Sequence, residues 1–199
     1  MDINLQEKLI NHKLILASGS PRRKQLLEET GFSFEIRTIE TPETIQPNLS
    51  VEDQVMYLAN QKAEAQNEIL KPNEIVITAD TIVVQNNEIL GKPKSREEAK
   101  AFLKGYSNHK HRVLTGICIH TQDITQTFFE ETTVYFNEIS DSVIETYLNQ
   151  NTFQDKAGAY GIQDSIGKWC ISKIDGCYYN VMGFPVAKFV QELNRFLNF

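Results

Sequence analysis

An aspartate stands inside an apolar strand. EIVITADTIVV (74–84) is almost continuously apolar, and Asp80 lies at its centre. An unpaired carboxylate there carries a heavy desolvation cost. Two arrangements offset it: a structural pair with an Arg or Lys, or a divalent cation, alone or carried by a bound phosphate. If Asn86-Asn87 closes a two-residue hairpin, Lys92 falls opposite Thr81, beside Asp80. That register gathers a cation, a hydroxyl and a carboxylate on one strand pair, and a slip of one residue would undo it.

Ser18-Gly19-Ser20-Pro21-Arg22-Arg23 is the second chemical signal. A strand runs into a tight turn and then a helix, whose first N–H groups and dipole attract anions. Arg22 and Arg23 oppose that dipole. They suit an anion bound at the turn, because guanidinium forks match phosphate oxygens; a solvated basic helix start is the plain alternative. Lys62 follows Val55, Leu58 and Ala59 on one apolar helical stripe, where another apolar residue is expected. It either snorkels to solvent or is aimed at a phosphate site. Glu43 lies in the acidic, proline-punctuated TIETPETIQPN and, taken alone, reads as a solvated carboxylate. DKAGAYGIQ sets Asp155, Lys156 and Gln163 around glycines that permit close backbone approach to a ligand. It is neither G-x-G-x-x-G nor a Walker sequence.

The elements that must hold these residues alternate between strand and helix, which predicts an α/β fold. KLILAS (13–18) reads as a strand ending at Ser20, an N-cap, with Pro21 at the first helical position and Gly31 as the stop. FSFEIRTI (32–39) is the next strand. Ser50 with Asp53, and Ser95 with Glu98, are capping-box patterns opening helices over 51–68 and through AKAFLKG. Strands follow at about 110–120 and 125–137, then a helix over 141–149, the loop 153–163, a strand WCISKI and a last helix over 185–197. No repeat or linker divides the chain.

Composition narrows the function. The 199 residues can bury a full core, and 41% hydrophobic with 23% charged is ordinary for a soluble enzyme. A net charge of −6 with no basic stripe argues against nucleic acid as partner. No apolar run is long enough to cross a bilayer, and MDINLQEKLINHK lacks a signal core, so a cytoplasmic setting is expected. Cys118, Cys170 and Cys177 form no CxxC pair and read as reduced thiols. His12, His109, His111 and His120 have no partners at metal-ligand spacing and read as surface or core histidines.

LASGSPRR, ADTIV, GKP, DKAGAYGIQ and NVMGFP, in that order, resemble the Maf family of septum-formation-type nucleoside triphosphate pyrophosphatases, over essentially the whole chain. The resemblance implies a single domain over 1–199, similar to inosine triphosphate pyrophosphatases: an elongated mixed β-sheet with flanking helices, in two lobes that share the sheet and flank a cleft. It implies cleavage between the α and β phosphates with Mg²⁺ or Mn²⁺. Asp80 matches the family's proposed general base, and Arg23, Lys62 and Lys92 its phosphate-contacting cations. Ser18 and Ser20 match the phosphate-cradling turn. Glu43 matches an acidic residue that helps Asp80 hold metal, with Glu40 a near competitor. Whether Asp80 acts as base or metal ligand stays open.

Arg22, Thr81 and Gln163 match the subgroup that prefers dTTP and UTP, where the 7-methylguanosine triphosphate subgroup has Trp, Gln and Glu. A uracil or thymine edge offers acceptor, donor, acceptor, which an amide and a guanidinium complement; an amide can flip, so CTP or a modified pyrimidine triphosphate stays open. The expected partner is the nucleotide itself; oligomeric state stays open, with a symmetric homodimer as the commonest default. The competing reading is a non-hydrolysing nucleotide-binding regulator of cell division. The acid among the cations argues against it.

Overall fold

The computed structural model describes residues 3–198; Met1, Asp2 and Phe199, the ends of the expected 1–199 domain, lie outside the described residues. Alternation of strand and helix gives α1 (Ile3–Lys8), β1 (Lys13–Leu16), α2 (Pro21–Glu28), β2 (Phe34–Ile36), α3 (Val51–Glu64), β3 (Glu74–Gln85), β4 (Glu88–Leu90) and α4 (Arg96–Tyr106). There follow β5 (Lys110–His120), β6 (Thr125–Phe136), α5 (Asp141–Leu148), α6 (Ser165–Cys170), β7 (Ile171–Asp175), α7 (Tyr178–Val181) and α8 (Val186–Phe196). The sheet is mixed and seven-stranded, in the order β2-β1-β3-β5-β6-β7 with β4 on β3. β1 runs parallel to β2 and β3, while β4 and β7 pair antiparallel with β3 and β6. The chain divides into two compact units, Met1–Asp80 with Thr115–Glu130 and Gly183–Phe199, and Thr81–Leu114 with Glu131–Met182.

In the first unit, α3 is docked by two close contacts. The Thr78 hydroxyl on β3 donates to the Ala59 carbonyl at 2.6 Å. Gly116 on β5 leaves room for the helix backbone, since a Cβ there would stand 2.4 Å from the Val55 carbonyl oxygen. Ala59, Ala63 and Cys118 form a small core beneath the helix, and Ile15, Ala17, Leu70 and Val76 form another. Ser20 and Ser50 each cap their helix by accepting a backbone N–H three residues on, from Arg23 and Asp53.

In the second unit, Asn86 and Asn87 both have positive φ, 51° and 66°, as a type I′ turn demands. The hairpin register is Gln85↔Glu88, Val84↔Ile89 and Val83↔Leu90. The expected pairing of Thr81 with Lys92 continues that count but lies beyond the paired residues; the Gly91 carbonyl instead accepts from the Gly158 N–H at 3.0 Å. The core includes Leu103, Tyr106, Phe136, Tyr147, Tyr160 and Ile166. His111 is buried among these rings and meets the Tyr160 hydroxyl at 2.7 Å. Burial pushes the imidazole pKa down to about 3, so it is neutral.

Three boundaries differ from expectation. Trp169 and Cys170 end α6 instead of opening a strand: Ile166 and Cys170, four apart, are buried while Lys168 and Trp169 are exposed, which is helical spacing. The helix from Val51 stops at Glu64, and a 3₁₀ turn covers Asn67–Ile69. There Gln66 accepts from Arg37 at 3.0 Å, and the Asn67 amide oxygen meets His120 at 2.5 Å, so both side chains are held by neighbouring segments. β2 covers only Phe34–Ile36; the Arg37 N–H still donates to the Leu16 carbonyl at 3.1 Å, and its side chain pairs with the buried Glu74 at 2.9 Å.

Candidate functional site

Side-chain periodicity explains how the first unit assembles its polar cluster. Thr78 and Asp80, two apart on β3, face the same way; Ala59 and Lys62, three apart on α3, share a helical face. Once Thr78 is bonded to Ala59, Lys62 is carried onto Asp80. The Lys62 ammonium bonds Asp80 Oδ1 and also Glu43 Oε1, the latter at 2.9 Å. Asp80 is only 6% exposed, whereas Glu43 reaches in from an exposed loop. Lys62 therefore does not snorkel to solvent, and it meets Glu43 instead of Glu40. The lysine supplies the charge that lets a carboxylate persist within the strand.

Arg23 joins this cluster from α2. Its Nη1 donates to Ser18 Oγ at 3.2 Å and its Nε to the Gly183 carbonyl at 3.0 Å. Ser18 Oγ also accepts the Ser20 N–H at 3.3 Å, and Ser20 Oγ accepts the Arg23 N–H at 3.4 Å. The turn LASGSPRR is thus folded onto its own arginine, and Gly183 of NVMGFP, which had no assigned role, becomes its anchor. Gly183 has φ 104°, a conformation that favours glycine, and its place in NVMGFP, before Phe184-Pro185, is the signal the sequence carries for it. Burial lowers the pKa of the Arg23 guanidinium; Asp80 opposes this most, Arg22 adds to it, and Glu43 opposes it. Arg22 is half-buried beside it at the helix start.

Thr81, Lys92 and Gln163 belong to the second unit. Thr81 is the next residue after Asp80 on β3. The Gly91–Gly158 bond joins GKP, with Lys92, to DKAGAYGIQ, with Gln163. Gly158 has φ 67°, and a Cβ there would stand 2.7 Å from the Tyr106 hydroxyl, which donates to the Gly158 carbonyl at 3.0 Å. Lys156 is buried, bonds the Thr152 carbonyl, and lies 3.3 Å from Asp164 and 3.5 Å from Asp155.

Asp80 and Glu43 converge on one ammonium, so their oxygens can share a cation. Among the described residues no three His, Cys, Asp or Glu side chains cluster as a metal cage. Two carboxylates suit Mg²⁺, which commonly takes one or two from protein and its other ligands from substrate phosphates and water. The donor set therefore fits a divalent metal brought in with a polyphosphate.

A mixed α/β sheet whose first unit holds Lys62 between Asp80 and Glu43, with Arg23 of the strand-to-helix turn within electrostatic reach, defines an α/β protein with a charged polar cluster on its sheet. Residues 13–196 match the Maf-like protein family model, and the chain belongs to that family. It is 44% identical over 190 residues to the dTTP/UTP pyrophosphatase of Cytophaga hutchinsonii, covering 96% of this chain and 87% of that protein. It is 47% identical over 184 residues to the dTTP/UTP pyrophosphatase of Bacillus cereus, covering 92% and 95%. A dITP/XTP pyrophosphatase structure from Mycobacterium abscessus aligns at TM-score 0.43 and 13% identity, covering 62% of this chain and 74% of that one, too distant a likeness to inform function. Among the described residues no helix is long and apolar enough to cross a membrane.

Proposed function

We propose that this chain hydrolyses dTTP and UTP, and by the same chemistry CTP or modified pyrimidine triphosphates, to the monophosphate and pyrophosphate. The observation that carries the reading is Asp80 held by Lys62 beside Glu43, with Arg23 within electrostatic reach. The names of the relatives at 44% and 47% identity supply the nucleotides. In this reading a water oxygen attacks the α-phosphorus and the bond to the bridging oxygen of the β-phosphate breaks. Pyrophosphate leaves, and the water's proton passes to Asp80 through Oδ2, because Lys62 occupies Oδ1. Arg23, Lys62 and Lys92 take phosphate oxygens, and Ser18 and Ser20 shape the turn that receives them. Where Asp80 serves as ligand instead of base, it and Glu43 would hold Mg²⁺ or Mn²⁺ brought in with the triphosphate, and the metal would supply charge neutralisation and Lewis-acid polarisation. Arg22, Thr81 and Gln163 read the base. We place the enzyme in the cytoplasm, consistent with Cys118, Cys170 and Cys177 being free thiols, as a homodimer with no nucleic-acid partner.

The test is release of monophosphate and pyrophosphate from dTTP, UTP, CTP, GTP and 7-methyl-GTP. dTTP and UTP are expected to be fastest; EDTA should lower their turnover by at least about 100-fold, with Mg²⁺ or Mn²⁺ restoring it. Guanine nucleotides turning over faster than UTP would sink the base assignment, and tight binding without turnover would move the reading to a regulator. Arg23→Lys tests the fork: a single ammonium cannot reach Ser18 Oγ and the Gly183 carbonyl together and still present a second N–H to phosphate. A loss of about 2 kcal/mol, about 30-fold in kcat/KM, is expected from steady-state kinetics on dTTP; an unchanged value would remove Arg23 from the phosphate site.

A further inference from the structure

We propose that Asp164 is a positioning residue for base discrimination: its carboxylate pins the loop that presents the Gln163 amide. The inference rests on the proposed pyrimidine nucleotide hydrolysis, in which Gln163 reads the base edge.

Three groups converge on one oxygen. Asp164 Oδ2 accepts the Gly161 N–H at 3.1 Å and the Tyr147 hydroxyl at 2.9 Å, and the Lys156 ammonium stands 3.3 Å away. Lys156 lies in the first half of the loop 153–163, Gly161 precedes Gln163 by two residues, and Tyr147 belongs to α5, so a single carboxylate ties two points of the loop to a helix. Lys156 and Tyr147 are buried and the Asp164 side chain is 17% exposed, so water competes weakly for these bonds. Burial, followed by the Asp164 charge, pushes the Tyr147 hydroxyl pKa upward, which keeps it a donor.

Gly161 transmits the constraint. A Cβ at this position would stand 3.0 Å from Asp164 Oδ2 and 3.0 Å from both Oε1 and Nε2 of Gln163. The amide therefore lies across the bare Cα of the residue whose N–H the Asp164 carboxylate holds. Gln163 Oε1 is a buried acceptor with no hydrogen-bond partner among the described residues. Such an atom favours a ligand that brings a donor. Uracil and thymine bring N3–H, whereas the cytosine N3 is an acceptor. Discrimination needs the amide held still, because a freely flipping amide satisfies either base. The amide packs against the Gly161 backbone, and Asp164 holds that backbone in place through the Gly161 N–H.

Asp164→Ala should raise KM for UTP and dTTP about tenfold, the cost of re-ordering a loop that has lost its shared acceptor. The kcat/KM ratio of UTP to CTP should fall towards one. Asp80, Lys62, Arg23 and Glu43 sit outside this loop, and Lys92 is tied to it at Gly158 through the Gly91 carbonyl, a bond Asp164 does not make, so kcat should change by less than about threefold. Asp164→Asn can keep an oxygen where Oδ2 sits and should recover most of the UTP to CTP ratio. Tyr147→Phe removes one of the three contacts and should give an intermediate ratio. Kinetics of wild type and the three variants on dTTP, UTP and CTP, beside thermal unfolding, make the test; if Asp164→Ala does not fold, Tyr147→Phe and Asp164→Asn decide it. A wild-type UTP to CTP ratio kept in Asp164→Ala and Tyr147→Phe overturns this inference and leaves the activity standing, as does a fall in kcat with KM and ratio unmoved. A wild type that turns over neither dTTP nor UTP overturns the proposed function and this inference with it.

Discussion

Asp80→Asn is expected to lower kcat for dTTP by about 1,000-fold, within the span that a positioned general base contributes. The substitution is close to isosteric, and Asp80 sits in a strand whose neighbours Ala79 and Ile82 are 1% and 4% exposed, so β3 should keep its place. What changes is charge. Asparagine has no carboxylate to take a proton or to share a cation with Glu43, and Lys62 keeps Glu43 as its remaining ion-pair partner. Single-turnover hydrolysis of dTTP, with thermal unfolding to show the variant is folded, measures this. A kcat within about tenfold of wild type would mean that the Lys62–Asp80 pair only stabilises the strand. Raising Mn²⁺ separates the two roles of the carboxylate. Recovery of rate at high metal identifies a ligand, and no recovery identifies a base.

Gly116→Ala should destabilise the protein by about 3 kcal/mol, at the upper end of overpacking costs. An added Cβ would stand 2.4 Å from the Val55 carbonyl oxygen and 2.7 Å from its carbon, and the obstructing atoms are helix backbone, which cannot rotate away. For a chain of this size that corresponds to a fall in Tm of roughly 6–12 °C. Turnover should fall as well, because α3 must lift from the sheet and carry Lys62 off Asp80. Gly91→Ala is the comparison: a methyl group added at Gly91 would meet nothing within 4 Å, so stability should stay within about 0.5 kcal/mol of wild type. Equal melting temperatures for Gly116→Ala and wild type would show that the helix has room to move and does not set the Lys62 position.

Much of the scaffold was legible in the sequence because the forces that build it act over a few residues. Ser20, Ser50 and Ser95 each accept the N–H three positions on, and a hydroxyl three residues ahead of a free N–H can be read from the order of the letters. Asn86-Asn87 closes its hairpin because both residues tolerate positive φ. The apolar run 74–84 is a strand flanked by β1 and β5, and a carboxylate inside it had to find a cation. The desolvation cost marks Asp80 in the sequence, but which cation offsets it depends on how α3 docks. The letters also left α6 hidden, since WCISKI looks like a strand until the Gly167 backbone is seen against Ile162, where a Cβ would come within 2.3 Å of a carbonyl oxygen.

The partners were decided by tertiary structure alone. Asp80 meets Lys62 across 18 positions, Glu43 meets Lys62 across 19, and Arg23 meets Gly183 across 160. No periodicity encodes such pairs. They follow from where α3 docks, and that is set by Thr78 bonding Ala59 and by the missing side chain at Gly116. The choice of Glu43 over Glu40, and the anchoring of Arg23 on the Gly183 carbonyl, are consequences of packing, which acts between segments that the chain order keeps apart. The sequence by itself determined the local elements and the presence of a buried charge; only the packed chain determined which cation answers it.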